Sequence, residues 1–187
     1  METNTEVILA AEEKMDKCVE FLQQELSGLR TGKASPSLVE NITVDYYGSS
    51  SRLRDISNIS TPEPRLIVIS PFDPSSLGTI EKAITAANIG ITPMNDGRLI
   101  RVPIPELSEE RRKDLVKVAG RTTEEQRVAV RNVRREANDQ LKALQKDSKI
   151  TEDDRDEGLE EVQKLTDAHI KKMDEVLSAK EAEVMDV

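Results

Sequence analysis

Residues 108–147 read SEERRKDLVKVAGRTTEEQRVAVRNVRREANDQLKALQKD, and the spacing of their apolar residues decides the fold. Leu115, Val118, Ala119, Thr122, Ala129, Val130, Val133, Ala137, Leu141 and Leu144 fall in a band about 140° wide at 100° per residue. The spacing predicts one helix running roughly 60 Å if Gly120 does not bend it. A rod that long with a single apolar face cannot bury that face alone, so it requires partner helices of matching length.

Partners lie on both sides of it. Downstream, Thr151-Glu152-Asp153-Asp154 resembles a capping box, and Leu159, Val162, Thr166, Ile170, Met173, Leu177 and Val184 carry a second stripe. Upstream, Ile8, Ala11, Met15, Val19, Leu22, Leu26 and Leu29 recur at three and four until Gly28, Gly32 and Pro36 stop the helix. Between them the period changes. Ile42, Val44 and Tyr46 alternate with polar residues, and Leu66-Ile67-Val68-Ile69 and Leu99-Ile100-Arg101-Val102 read as strands. Asp73-Pro74 opens a short helix with an N-cap and a proline at its first position, Asn95-Asp96-Gly97 marks a turn, and Ser49-Ser50-Ser51 reads as a polar turn. The expected architecture is α+β: an elongated antiparallel three-helix bundle formed by 1–30 and 106–187, with a small β/α/β domain at 31–105 inserted into it. The two crossings, near Arg30-Thr31 and Val102 to Pro105, form a candidate hinge.

Composition narrows the function. Four aromatic residues in 187 and no Trp leave little with which to stack unpaired bases, so any nucleic-acid contact is expected to be electrostatic. A single Cys18 forms no internal disulfide, and no Cys/His spacing fits zinc. The first ten residues contain no basic leader followed by an apolar run, so a cytoplasmic chain without membrane spans is expected. The glycosylation-like triplets at Asn41 and Asn58 are then chance matches.

The net charge is −9, yet residues 111–135 hold nine Lys/Arg (Arg111, Arg112, Lys113, Lys117, Arg121, Arg127, Arg131, Arg134, Arg135) against Asp114, Glu124 and Glu125. Most of these arginines lack a carboxylate four residues on, and Arg112, Arg127, Arg131 and Arg134 flank the apolar band on one side. An unpaired guanidinium row in an acidic protein suits a phosphate backbone approached from one side. A helical adaptor would instead expose an apolar stripe. Catalysis has weak support: His169 sits at the edge of its helix's stripe, Asp153 and Asp154 suit a helix N-terminus, Cys18 lies near a core stripe, and the glycines form no phosphate loop. No metal or cofactor is expected, and a hydrolase using the carboxylates is the weakest alternative.

The motifs Leu29-Arg30-Thr31-Gly32-Lys33-Ala34-Ser35-Pro36, Asp45-Tyr46-Tyr47-Gly48, Ile80-Glu81-Lys82-Ala83-Ile84, Arg101-Val102-Pro103-Ile104-Pro105, Glu109-Glu110-Arg111-Arg112-Lys113, Val130-Arg131-Asn132-Val133-Arg134-Arg135-Glu136-Ala137-Asn138 and Val162-Gln163-Lys164-Leu165-Thr166-Asp167 resemble those of the bacterial ribosome recycling factors. The resemblance implies an L-shaped, monomeric, non-enzymatic translation factor. It implies occupancy of the A site on the large half of a post-termination ribosome, contact with 23S rRNA, and subunit splitting driven by elongation factor G with GTP, releasing mRNA and deacylated tRNA. By position it marks Arg30, Arg112, Arg131 and Arg134 as rRNA-contacting. Lys33 stands where the family commonly has Arg, a point charge in place of a fork. Arg30, Thr31, Pro103 and Pro105 mark the hinge.

Overall fold

The computed structural model describes residues 3–186; Met1, Glu2 and Val187, at the ends of the expected bundle segments, lie outside them. The chain forms two compact units, one from residues up to Arg30 together with those from Glu109 onward, the other from Thr31–Ser108.

The first unit is three helices: α1 (Asn4–Ser27), α4 (Glu109–Lys146) and α5 (Glu152–Met185). The Asn4 amide donates to the Asp154 carbonyl (3.4 Å) and Lys14 pairs with Glu136 (2.7 Å), so α1 runs parallel to α5 and antiparallel to α4. Its core takes Val7, Ala11, Met15, Val19, Leu22 and Leu26 from α1, Ala119, Val130, Ala137, Leu141 and Leu144 from α4, and Val162 and Met173 from α5. Burying each of the larger side chains contributes about 1.5–3 kcal/mol. The helix α4 is unbroken through Gly120, where an added Cβ would meet open space.

Several side chains settle differently from the periodicity. Thr123, rather than Thr122, is fully buried. Both hydroxyls donate to the carbonyl four residues back, 3.0 Å for Thr122 and 2.8 Å for Thr123, so the buried one leaves no orphan donor. Ile8 is only half-buried, its place in the core taken by Val7. His169 is not at an edge but 3% exposed. Its Nδ1 lies 2.6 Å from the Leu165 carbonyl and its Nε2 2.7 Å from Asp16 Oδ1, so both ring nitrogens face acceptors and the ring ties α5 to α1. Cys18 packs against the core, and burial pushes its thiol up from the usual range.

The α4–α5 connection is set by local chemistry. Ser148 has φ +59°, and the Lys149 amide reaches back to the Leu144 carbonyl at 2.9 Å, the 6→1 bond of a left-handed helix stop. Thr151 then caps α5: its Oγ1 accepts from the Asp154 amide (3.1 Å) while the Asp154 carboxylate accepts from the Thr151 amide (3.0 Å). Gly158 is buried against Leu141, whose methyls lie 3.0 Å from where a Cβ would stand.

The second unit holds two antiparallel sheets. Strands β1 (Thr43–Tyr46) and β2 (Ser49–Arg52) form a hairpin. The short α2 (Leu53–Ile56) leads into β3 (Ser57–Glu63), β4 (Leu66–Pro71), α3 (Leu77–Ala86), β5 (Met94–Asn95) and β6 (Ile100–Pro103), with sheet order β3-β4-β6-β5. Ile67, Ile69, Ile100 and Val102 from the sheet pack with Leu77, Ile80 and Ile84 of α3 and with Val39, Val44, Leu53 and Ile56.

Ser49–Ser51 is therefore strand, not turn. The turn lies at Tyr47 (φ +50°) and Gly48 (φ +80°), the geometry of a two-residue hairpin. A strand of serines has no apolar alternation, and β3 is an exposed edge carrying Pro62, where a missing N–H is tolerated. Asp73 caps a single 3-10 turn, Pro74–Ser76, before α3 begins. Its carboxyl is held below the ordinary range by hydrogen bonds from the Tyr47 hydroxyl, then from Ser75.

Residues 106–108 stay with this unit. Glu106 pairs with Arg65 (3.3 Å), and Gly32 at φ +75° would bring a Cβ to 3.2 Å from Leu107 Cγ. Only glycine suits that backbone and that contact. Gly32→Ala is expected to destabilise the second unit by about 1–3 kcal/mol, read as a lowered urea midpoint. His169→Ala, which leaves a cavity and an unmatched Asp16, is expected to lower bundle stability by about 2 kcal/mol, with the Asp16→Asn/His169→Ala pair losing less than the two single losses added.

Candidate nucleic-acid interface

Helix α4 carries the cations, and its buried residues fix which way each one points. Leu115, Ala119, Thr123, Val130, Ala137, Leu141 and Leu144 are buried, a band at about 0–80° when Leu115 is set to zero. Arg134, Arg127 and Arg131 follow at about 100–160°, on the flank from which Arg127 and Arg134 reach α5, whereas Arg112 at about 60° falls within the band near the start of the helix; all four are half-buried.

Their guanidinium groups are not equivalent. Arg127 is built into the bundle. Its Nε donates to Asp174 Oδ1 of α5 at 2.9 Å, its Nη2 to the same oxygen, and its Nη1 to Glu124 Oε2 at 3.0 Å, with only 21% of the side chain exposed. Arg131 reaches the other Glu124 oxygen at 3.1 Å and keeps 39% exposure. These two arginines hold the Glu124 carboxyl below its ordinary range, Arg127 first. Arg134 meets only the neutral Gln163, Nη1 to Oε1 at 3.3 Å. Arg112 takes part in no ion pair among the described residues, and its buried Nε has no hydrogen-bond partner.

The expectation of an unpaired row thus fails at Arg127 and in part at Arg131. Glu124 lies three and seven residues N-terminal to them, and Asp174 arrives from another helix, so a count of carboxylates four residues ahead misses both. Arg112 and Arg134 stay uncompensated, on a helix with few carboxylates of its own in that stretch.

Arg30 is exposed at the end of the first unit, two residues past the Gly28 cap. Thr31 opens the second unit, and Lys33 lies within it, half-buried. Pro103 ends β6 opposite Leu66, and Pro105 follows Ile104, whose amide donates to the Arg65 carbonyl at 2.8 Å. The carboxylates weighed for chemistry have structural places: Asp154 closes the α5 cap and Asp153 stands in the first turn of α5, at the positive end of the helix dipole. Among the described residues, no three His, Cys, Asp or Glu side chains gather as a metal site. Among the same residues, no helix is long and apolar enough to cross a membrane. The exposed apolar side chains of the bundle, Leu9, Phe21, Val128 and Met185, are shared among α1, α4 and α5 and make no stripe of the kind an adaptor needs.

The longest helix of the bundle thus leaves Arg112 and Arg134 without a carboxylate partner in a chain of net charge −9, a cationic flank suited to an anionic partner. The ribosome recycling factor family model matches residues 22–185. The chain is 52% identical over 174 residues to the ribosome-recycling factor of Natranaerobius thermophilus, covering 93% of this chain and 95% of the relative. It is 50% identical over 182 residues to that of Bacillus subtilis, covering 97% and 98%. A solution structure of a ribosome recycling factor superposes with TM-score 0.81 at 42% identity over 98% of each chain. A second structure, titled as models of the T. thermophilus ribosome recycling factor and E. coli elongation factor G bound to the E. coli post-termination complex, matches with TM-score 0.66 at 42% identity over 98% and 99%. The chain belongs to the ribosome recycling factor family.

The division of labour among the arginines is testable by stability alone. Arg127→Ala is expected to destabilise the bundle by about 1 kcal/mol, whereas Arg134→Ala should stay within about 0.5 kcal/mol of the parent, both read from urea midpoints. Glu124 is lowered in the folded state, so its contribution is present above its unfolded pKa and fades as pH falls through the folded value. Acid titration of Glu124→Gln against the parent should show that part of the acid-side loss missing.

Proposed function

We propose that this factor docks α4 on 23S rRNA in the A site on the large half of the post-termination ribosome, and that elongation factor G with GTP then acts on it to part the subunits, freeing mRNA and deacylated tRNA. Family membership over nearly the whole chain supports this reading, as does the solved relative titled with elongation factor G on a post-termination complex. The observation that carries the contact is the pair Arg112 and Arg134, cations without a carboxylate partner on a half-exposed helix.

In this reading Arg112, Arg131 and Arg134 bind phosphate oxygens, with Arg30 extending the cationic surface from α1 and Lys33 adding a point charge. Arg131 exchanges its bond to Glu124 for one to RNA, which makes its contact weaker than that of Arg134. The protein's net charge of −9 repels RNA everywhere else and so orients the approach. The junctions at Arg30-Thr31 and through Pro103 and Pro105 serve as the hinge that lets the second unit follow the motor while the bundle stays docked.

Binding to isolated large ribosomal subunits should weaken steeply with salt. With about four phosphates neutralised, a fourfold rise in salt is expected to lower affinity roughly a hundredfold for a duplex-like target. Arg134→Ala should bind more weakly and with a shallower slope, and a flat profile for both proteins overturns the docking. For the hinge, a disulfide between cysteines engineered one into each unit, in a Cys18→Ala background, should abolish subunit splitting with elongation factor G and GTP and restore it on reduction.

A further inference from the structure

The opposite face of α4 carries a second set of cations with different surroundings. Lys117, Arg121 and Arg135 fall at about 200–240° on the scale that places the buried band at 0–80°, so they stand on the pole of the helix farthest from the core. All three are exposed, whereas Arg112, Arg127, Arg131 and Arg134 are half-buried. None of them takes part in an ion pair among the described residues. Arg135 meets only the neutral Asn132, at 3.4 Å.

Carboxylates of the same helix near the strip, Glu110, Asp114, Glu124, Glu125 and Asp139, form no ion pair with it among the described residues. Glu124, which borders this strip, is turned to the flank by Arg127 and Arg131. Glu125 and Asp139, each four residues beyond Arg121 and Arg135, are exposed and in no ion pair among the described residues. In both pairs the arginine precedes the carboxylate, the less favourable order on a helix. Between Arg121 and Arg135, in line with both, lies Val128, 45% exposed and uncharged.

Extending the docking reading above, we infer that Lys117, Arg121 and Arg135 form a second RNA-binding strip, which receives a different sugar–phosphate segment from the one that meets Arg112, Arg131 and Arg134. The strip is about 27 Å long by helical rise, enough for several successive phosphates. The two sets of side chains lie roughly 100° apart around one rod, and one backbone strand lying along the helix cannot reach both. The deep, narrow major groove of an RNA duplex does not admit a helix, so α4 lies between two neighbouring backbone segments of folded rRNA rather than inside one groove. Phosphate is the ligand chemistry because the strip offers two forks and one ammonium, with no acceptor, metal ligand or aromatic face among them.

The test uses the full-length protein and isolated large ribosomal subunits. The exposed pair Arg121→Ala/Arg135→Ala is compared with the charge-matched Lys171→Ala/Lys172→Ala on α5, both exposed, and with Arg134→Ala. Removing two phosphate contacts is expected to flatten the slope of log affinity against log salt by about 2 for a duplex-like target, while the α5 pair stays near the parent. Hydroxyl-radical footprinting should show two protected rRNA backbone segments, of which Arg121→Ala/Arg135→Ala weakens one and Arg134→Ala the other. Parent-like slope and footprint in Arg121→Ala/Arg135→Ala overturn the second strip while leaving the flank docking intact. Equal slope changes in the α4 and α5 pairs also overturn it, since they report a general field rather than contact. If the parent does not bind these ribosomal particles, the docking reading itself falls.

Discussion

Every feature of the first unit follows from one constraint: three long helices each own a single apolar face, and that face can leave water only against the other two. Met15, Leu22, Leu141 and Met173 are fully buried as a result, and the rotation of each helix is thereby fixed about its axis. Once α4 is held with Leu115, Ala119 and Val130 inward, the placement of every other residue on it follows from 100° steps. The cations lie on the outside because the apolar band occupies the inside. Their mutual arrangement is rigid because the rod that holds them is packed along its length, a scaffold well suited to meeting a target whose charges are themselves fixed.

Within that frame, carboxylates sort the arginines by role. Glu124 and Asp174 take Arg127 into the fabric of the bundle, where it links α4 to α5. Glu124 also holds Arg131 loosely. Arg134 has only an amide to lean on and Arg112 has no carboxylate at all. A run of basic residues that looks uniform in the chain is thus a graded series, from a structural cation to ones that no carboxylate compensates. On the outer pole of α4, Lys117, Arg121 and Arg135 likewise stand in no ion pair among the described residues, although exposed carboxylates lie near them. His169 and Asp16 link α1 to α5 in a comparable way, through a polar contact.

The inserted unit obeys different rules. Its sheet and α3 enclose a separate apolar cluster, and its turns depend on backbone conformations that few residues adopt: Gly32 and Gly48 at positive φ, and Tyr47 beside the latter. Glu106 and Leu107 close on Arg65 and Gly32 within this unit, so the return crossing has packing of its own up to Ser108. The chain thus passes from one compact unit to the other at Arg30–Thr31 and at Ser108–Glu109.

The three helices, their stripes, the strand runs at residues 66–69 and 99–102, and the cap at Thr151 were legible in the chain, because periodicity and capping are local and each residue announces its own preference. The concentration of cations on α4 was legible for the same reason, and the family motifs strung along the chain are a linear property too. Strands β2 and β3 were not, since Ser49–Ser51 and most of the edge residues after Ser57 are exposed and are held by backbone bonds to β1 and β4. The choice of Thr123 over Thr122 for the core, the burial of His169 and the capture of Arg127 by Asp174 likewise awaited the tertiary structure. Each depends on which atom of another element comes within about 3 Å, a fact that belongs to the packing and to no single stretch of sequence.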